Sequence, residues 1–256
     1  VPLTWREAHK QYKLTSVGFF HFWTYMINVY IGFDEREAVA YHVCAQSILS
    51  RSSQPVSFTP LALNAISSMY SEFHTDGSNA FIYSRFLVPF LQKYNGWAIF
   101  VDGDMIVQDD IAKLWALRDE SKAVMVVKHD YKTRHPVKYL DNVNQDYPRK
   151  NWSSVILFNC GHHSNKALTP KYIENATGAM LHRFTWLSDD EIGELPIEWN
   201  WLDKEYDENA DAKLIHYTIA TPCFKGYQQG TQTHQWWAEY FKAIAPLYGT
   251  NKDSKA

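Results

Sequence analysis

"AIFVDGDMIV" (98–107) is the stretch on which the reading of this chain turns. An apolar run of strand character, "WAIFV" (97–101), ends on two carboxylates, Asp102 and Asp104, separated only by Gly103. Burying a carboxylate without a partner is costly, so a core strand that ends this way implies a use for its acids. Side chains two apart on an extended segment face the same way, and the pair therefore aims at one point. That arrangement suits a hard divalent cation, Mn²⁺ or Mg²⁺, with oxygen ligands and positions left for a diphosphate. Gly103 would let a ligand approach the backbone closely.

Two other uses compete. The pair could be a turn with two solvated acids, or the nucleophile and acid of a phosphatase. Phosphatases of the haloacid dehalogenase type place such a pair near the N-terminus and follow it with Gly-Thr. Here Met105 and Ile106 follow, deep in the chain, and no later acidic pair with a supporting Lys is evident. Asp109 and Asp110 read as the N-cap and first-turn acid of the next helix.

Working outward, strand-like and helical patterns alternate. "INVYIGF" (27–33), "PVSFTPL" (55–61), "KAVMVVK" (122–128), "SSVILFN" (153–159) and "DAKLIHY" (211–217) read as strands. Residues 34–53, 78–94, 109–117 and 234–248 read as helices, with Pro89 expected to kink the second. This order predicts an α/β three-layer sandwich with a mainly parallel central sheet, whose ligands bind beyond the carboxyl ends of the strands. A long polar connection, residues 127–151, is expected to cover a ligand or form a cleft, with Lys128, His129 and Asp130 nearest the sheet.

The 256 residues are 46% hydrophobic and 21% charged, ordinary for a globular chain, and suffice for one large domain. A net charge of −3 argues against nucleic acid as a partner. Aromatics reach 16%, which suits sugar clefts and apolar cores alike. Cys44, Cys160 and Cys223 show no CxxC spacing, which points to a reduced cytoplasmic setting, and "NCGHH" (159–163) fits no usual zinc spacing. Leu14 to Phe33 carry no charge, but the second half reads as a strand and no small-residue cleavage site follows. Residues 1–25 are therefore expected to be an N-terminal extension and 26–256 a single domain, and for the uncharged run a peripheral membrane contact is favoured over a spanning helix.

"YSRFLVPFLQKYNGWAIFVDGDMIVQDDIAKLW" (83–115) resembles the central segment of family 8 glycosyltransferases and their bacterial relatives. "VYIGFDEREAVAYHVCAQSILSRSS" (29–53) is similar to that family's base-holding βα unit, "ILFNCG" (156–161) to its FNAG segment, "ELPIEWNWL" (194–202) to its LP-x-x-x-N stretch and "KLIHYT" (213–218) to its late His strand. The resemblance implies a GT-A fold and a metal-dependent transfer, with retention, of a hexose from a nucleoside-diphosphate sugar, UDP-linked by expectation. The acceptor would be a sugar, a lipid-linked glycan or a protein, and the relatives point to surface polysaccharide made at the inner membrane face. It also implies Asp102, Asp104 and His216 as metal ligands, Gly32 and Asp34 at the nucleotide, and Arg85 at the donor. Asn159 and Gly161 would face the donor sugar and acceptor, and Asp190 would lie under the sugar ring. Lys225 would stand in for the family's phosphate-binding Lys.

Several of these residues carry a second reading. His216 could be a core histidine, Asp34 the N-cap of the helix after it, and Arg85 a solvated helix residue. Two other functions stay open on the sequence. A sugar-phosphate nucleotidyltransferase shares the sheet and the metal but usually opens with a Gly-rich basic loop. A silent sugar-binding module would keep the aromatics without a metal triad.

Overall fold

Alternation along the central strands sets the layers of the molecule, a computed structural model that describes residues 26–245 apart from 76 and 78. The extension expected at 1–25 lies outside the described residues. Strands β1 (Ile27–Gly32), β2 (Val56–Leu61), β3 (Trp97–Val101), β5 (Val124–Val126), β6 (Val155–Asn159) and β7 (Ile192–Glu194) form one sheet in the order β2-β1-β3-β6-β5-β7. Three of its five pairings are parallel, and β6 runs antiparallel to both neighbours. Tyr30, Ala98, Phe100, Val124, Ile156 and Phe158 point to one face, and Val29, Ile31, Ile99, Val101, Met125 and Leu157 to the other. Both faces are covered, which is why these strands read as unbroken apolar runs. Pro60 is tolerated because β2 is the edge strand.

A second sheet, β4 (Met105–Val107), β9 (Leu214–His216) and β8 (Trp201–Leu202), packs on one of those faces together with helix α1 (Ala38–Leu49). The turn at residues 102–104 carries the chain from the large sheet to the small one. Asp102 N donates to Ser154 O at 3.0 Å on the large-sheet side, and Tyr217 N donates to Asp104 O at 3.0 Å on the small-sheet side. The closing helix α2 (Thr233–Ile244) packs on α1, with Trp236 buried against Val43, Ile215 and Tyr217.

The long helix expected over 78–94 is broken up. Only a 3₁₀ turn (Ser84–Leu87) and one α turn (Val88–Leu91) form, and Pro89 sits in that α turn's first residues, where its missing N–H leaves no bond unmade. No helix among the described residues is long and apolar enough to cross a membrane, and β1 takes up residues 27–32 of the uncharged run.

Candidate functional site

The register of the small sheet builds the site. β9 pairs antiparallel with β4 so that His216 lies opposite Met105, at the end of the strand beside the acidic turn. His216 Nε2 is 3.4 Å from Asp104 Oδ1 and 3.8 Å from Asp102 Oδ2, and the three ligating atoms lie within 4.8 Å of one another. His216 Nδ1 donates to Asn200 Oδ1 at 3.2 Å, while Asn200 Nδ2 donates to Ser154 Oγ at 2.8 Å and Asn151 O at 3.2 Å. Asn200 is thus locked, Nδ1 is the ring nitrogen that donates to it, and Nε2 faces the acids. Asp104 Oδ1 is buried and accepts no hydrogen bond.

Arg85 is buried rather than solvated. Its Nη1 lies 2.7 Å from Asp102 Oδ1 and donates to Ser153 O at 3.0 Å, and its Nε donates to Ile82 O at 3.2 Å. Asp102 Oδ1 is charge-paired there but accepts no hydrogen bond. Burial nevertheless pushes the Asp102 carboxyl up to about 6, with Arg85 pulling it down and Asp104 pushing it up. A third acid stands close: burial and then the Asp104 charge push Glu37 up to about 8, although Tyr139 Oη and Thr221 Oγ1 both donate to it. The two strand-end acids therefore sit in a place where negative charge is in excess.

Arg85, Asp102, Asp104 and His216 line a cavity of about 80 Å³, together with Lys138, Tyr139, Tyr147, Ser153 and His182. The turn 137–143 roofs it, closed by a Val137–Val143 bridge and by Tyr139 N donating to Ile219 O at 3.0 Å. Lys138 Nζ donates to Thr218 Oγ1 at 3.0 Å, and burial lowers its pKa to about 8 against the pull of Asp104. Lys128, His129 and Asp130 stay outside the cavity. His129 and Asp130 line an adjoining groove of about 370 Å³ with Tyr131 and Lys150, and Tyr147 lines both spaces.

Four expected residues fall elsewhere. Because β6 runs antiparallel to β3, Asn159 pairs with Trp97, at the opposite end of the sheet from Asp102. Its Nδ2 donates to Lys122 O at 3.1 Å, and Gly161 N bonds Gly96 O at that same end. What lies beside Asp102 instead is the 3₁₀ turn just before β6, with Ser153 and Ser154. Asp190 lies just before β7, which runs parallel to β5, so it too is at the far end; Lys122 Nζ donates to its carbonyl at 2.7 Å. Lys225 is exposed and does not line the cavity.

The glycines and Asp34 have mainly internal partners. A Cβ on Gly103 would stand 2.4 Å from Gly32 O, and one on Gly32 would stand 2.4 Å from the Phe81 ring. The close approach that Gly103 permits is thus to the end of β1. Asp34 is the N-cap of the 3₁₀ turn Glu35–Glu37, with its carboxylate filled by Arg36 N, Nε and Nη2 and by Ala80 N.

In the segment 189–191 the acid with the most bonds is Glu191. It accepts from Ser164 Oγ, and from Ser188 N at 2.8 Å and Oγ at 2.7 Å, closing a capping box. The Ser164 bond, then those from Ser188, hold its pKa down from 4.5 to about 2. A depressed carboxylate contributes stability that is complete above its unfolded pKa and is lost as pH falls toward the folded one. Glu191→Gln is therefore expected to cost about 1–2 kcal/mol at pH 7, and to flatten the fall in unfolding temperature between pH 4.5 and 2. Thermal melts at three pH values check this; parallel curves for the two proteins would contradict it.

Comparison with known proteins follows the same geometry. The family model described as Glycosyl transferase family 8 matches residues 38–222. Protein CDI of Arabidopsis thaliana is 43% identical over 208 residues, covering 78% of this chain and 80% of that protein. Among solved structures, the WbbM bifunctional glycosyltransferase matches with a TM-score of 0.60 at 15% identity, covering 86% of this chain and 50% of WbbM. The glycosyltransferase GlyE of Streptococcus pneumoniae TIGR4 matches with a TM-score of 0.55 at 13% identity, covering 88% of this chain and 63% of GlyE. The chain thus spans half the length of the first structure and less than two thirds of the second, and what it shares with them is the fold.

Proposed function

The chain belongs to glycosyl transferase family 8 and has a GT-A fold, and from that premise we propose that it moves a hexose from a UDP-sugar to an acceptor hydroxyl, with a bound divalent metal and with retention. The observation that carries this reading is the convergence of Asp102, Asp104 and His216 Nε2, with carboxylate oxygens that accept no hydrogen bond. Excess negative charge and unmade bonds in one buried place are what a cation site requires when it is built. Two carboxylates and a neutral imidazole fit Mn²⁺ better than Mg²⁺, which prefers oxygen alone.

When bound, the ion would stabilise charge on the departing diphosphate. The protein's own groups supply the rest. Asn200 fixes the imidazole, and Arg85 fixes Asp102. Lys138 provides a cation at the cavity wall, whose depressed pKa would recover beside a phosphate. The space present is far smaller than the roughly 300–1,000 Å³ of ordinary ligand sites, so donor entry requires the 137–143 turn to lift. The adjoining groove, with Tyr131 and Tyr147 as stacking faces, is the proposed acceptor side. Front-face substitution suits this cavity, since Asp102 and Asp104 are the carboxylates that line it and Asp190, which a competing double displacement would need as its nucleophile, lies at the other end of the sheet.

The test is hydrolysis and binding with the purified protein. UDP-sugars should be hydrolysed slowly with Mn²⁺ and not with EDTA, and calorimetry in Mn²⁺ should show UDP binding at least about tenfold more tightly than GDP or ADP. Equal affinities would remove the uridine part of the proposal. Failure to hydrolyse or bind any nucleotide sugar would remove it all.

A further inference from the structure

The end of the large sheet that lies away from the acids carries a second cluster of ligating side chains. The chain leaves β6 there through Cys160 and Gly161 into His162 and His163, and the turn before β7 sets Glu191 against them. One ligating atom from each of His162, His163 and Glu191 falls within 4.8 Å of the others, a convergence that among the described residues only Asp102, Asp104 and His216 share. His162 Nδ1 is 3.8 Å from Glu191 Oε1, and the two imidazole rings have their centroids 4.5 Å apart. Donors bound to one tetrahedral Zn²⁺ stand about 3.4 Å from each other, so a shift of a few tenths of an ångström would close the first pair around an ion. The His162 and Glu191 side chains are 13% and 18% exposed and His163 is exposed, so an ion can reach them from solvent.

The atoms that face each other here are both acceptors. His162 Nδ1 accepts from Ser164 N at 3.3 Å, so it bears a lone pair and not a proton, and that bond is longer than the usual 2.7–3.2 Å. Glu191 Oε2 takes both bonds from Ser188, whereas Oε1 takes one from Ser164 Oγ and keeps a second lone pair. The serine bonds hold the carboxylate in place, as outer partners of metal ligands do. The His163 side chain makes no hydrogen bond among the described residues, and its ring rests on His162. Two imidazoles and one carboxylate, with a position left for water, are a donor set for zinc, whereas Mg²⁺ and Ca²⁺ take oxygen. The spacing within "NCGHH" fits no zinc pattern because the carboxylate comes from a separate segment. We propose that His162, His163 and Glu191 form a second metal site, for Zn²⁺, which ties the loop after β6 to the turn before β7. The proposal does not depend on the metal reading of the acid cavity.

Calorimetry with Zn²⁺ on full-length Asp104→Asn, in which the acid cavity has lost a ligand, tests it. One Zn²⁺ per chain should bind, and adding either His163→Gln or Glu191→Gln should weaken binding by at least about tenfold. Zn²⁺ should also raise the unfolding temperature of Asp104→Asn, and that rise should vanish when His163→Gln is added. His163→Gln changes an exposed ring without a hydrogen bond, so without Zn²⁺ it should melt as its parent does, which separates lost ligation from lost folding. Absence of Zn²⁺ binding to Asp104→Asn would overturn the proposal. Binding of undiminished strength in either double variant would overturn it as well, by placing the ion elsewhere.

Discussion

Asp104→Asn should lower the rate of Mn²⁺-dependent UDP-sugar hydrolysis by at least about a hundredfold while leaving the fold intact. The substitution keeps the shape of the side chain and removes one charge. Asp104 Oδ1 accepts no hydrogen bond, and its near neighbour is His216 Nε2 at 3.4 Å, so no internal hydrogen bond of that atom is broken. The charge it removes is one that pushes both Asp102 and Glu37 upward. Metal-free Asp104→Asn is accordingly expected to melt at or slightly above the wild-type temperature. The difference should appear when Mn²⁺ is added: ligation stabilises the wild type by mass action, and that rise should vanish in the variant. Paired melts with and without Mn²⁺, beside the activity assay, make the check. Near-normal Mn²⁺-dependent activity in Asp104→Asn would sink the site.

The features legible in the sequence are those carried by local pattern. Unbroken apolar runs marked β1, β3 and β6, and an i, i+2 pair at a strand end marked the acidic turn. His216 was legible because it ends an apolar strand. What the sequence hides is direction. The letters of "ILFNCG" match the family, yet nothing local shows that this strand runs antiparallel, and that alone carries Asn159 away from Asp102 and brings Ser153 and Ser154 instead. Asp190 fails for a related reason, since it precedes rather than follows its strand. Strands β4, β7 and β8, of three, three and two residues, are too short for alternation to register. Lys138 comes from a polar connection without periodicity. The role of Asn200 exists only through bonds to residues 151, 154 and 216, which two separate segments supply.

Arg85 shows the same limit in energetic form, because its helix position suggests a donor contact whereas its burial ties it to Asp102. The two side chains are 4% and 9% exposed, and breaking a buried pair by removing one partner typically costs about 3–5 kcal/mol. In metal-free protein at pH 8, Arg85→Met should lower the unfolding temperature by roughly 6–20 °C, whereas Asp102→Asn should lose far less, because a carboxyl pushed up to about 6 is one whose charge the fold already disfavours at pH 8. The double variant should lose much less than the sum, since neither stranded charge is left. Acidification should separate the two single variants. Asp102 already has a carboxyl pushed up to about 6 with Arg85 beside it, and a raised carboxyl is stabilised by protonation as pH falls. Arg85→Met should thus regain stability relative to wild type between pH 8 and pH 5. A guanidinium cannot shed its charge in that window, and Asp102→Asn has no carboxyl to protonate, so wild type should gain stability relative to it as pH falls through about 6. Chemical denaturation of the four proteins at both pH values reads this directly. Additive losses in the double variant would mean that the 2.7 Å contact carries no net coupling. Asp102 would then owe its position to the Ser154 bond alone.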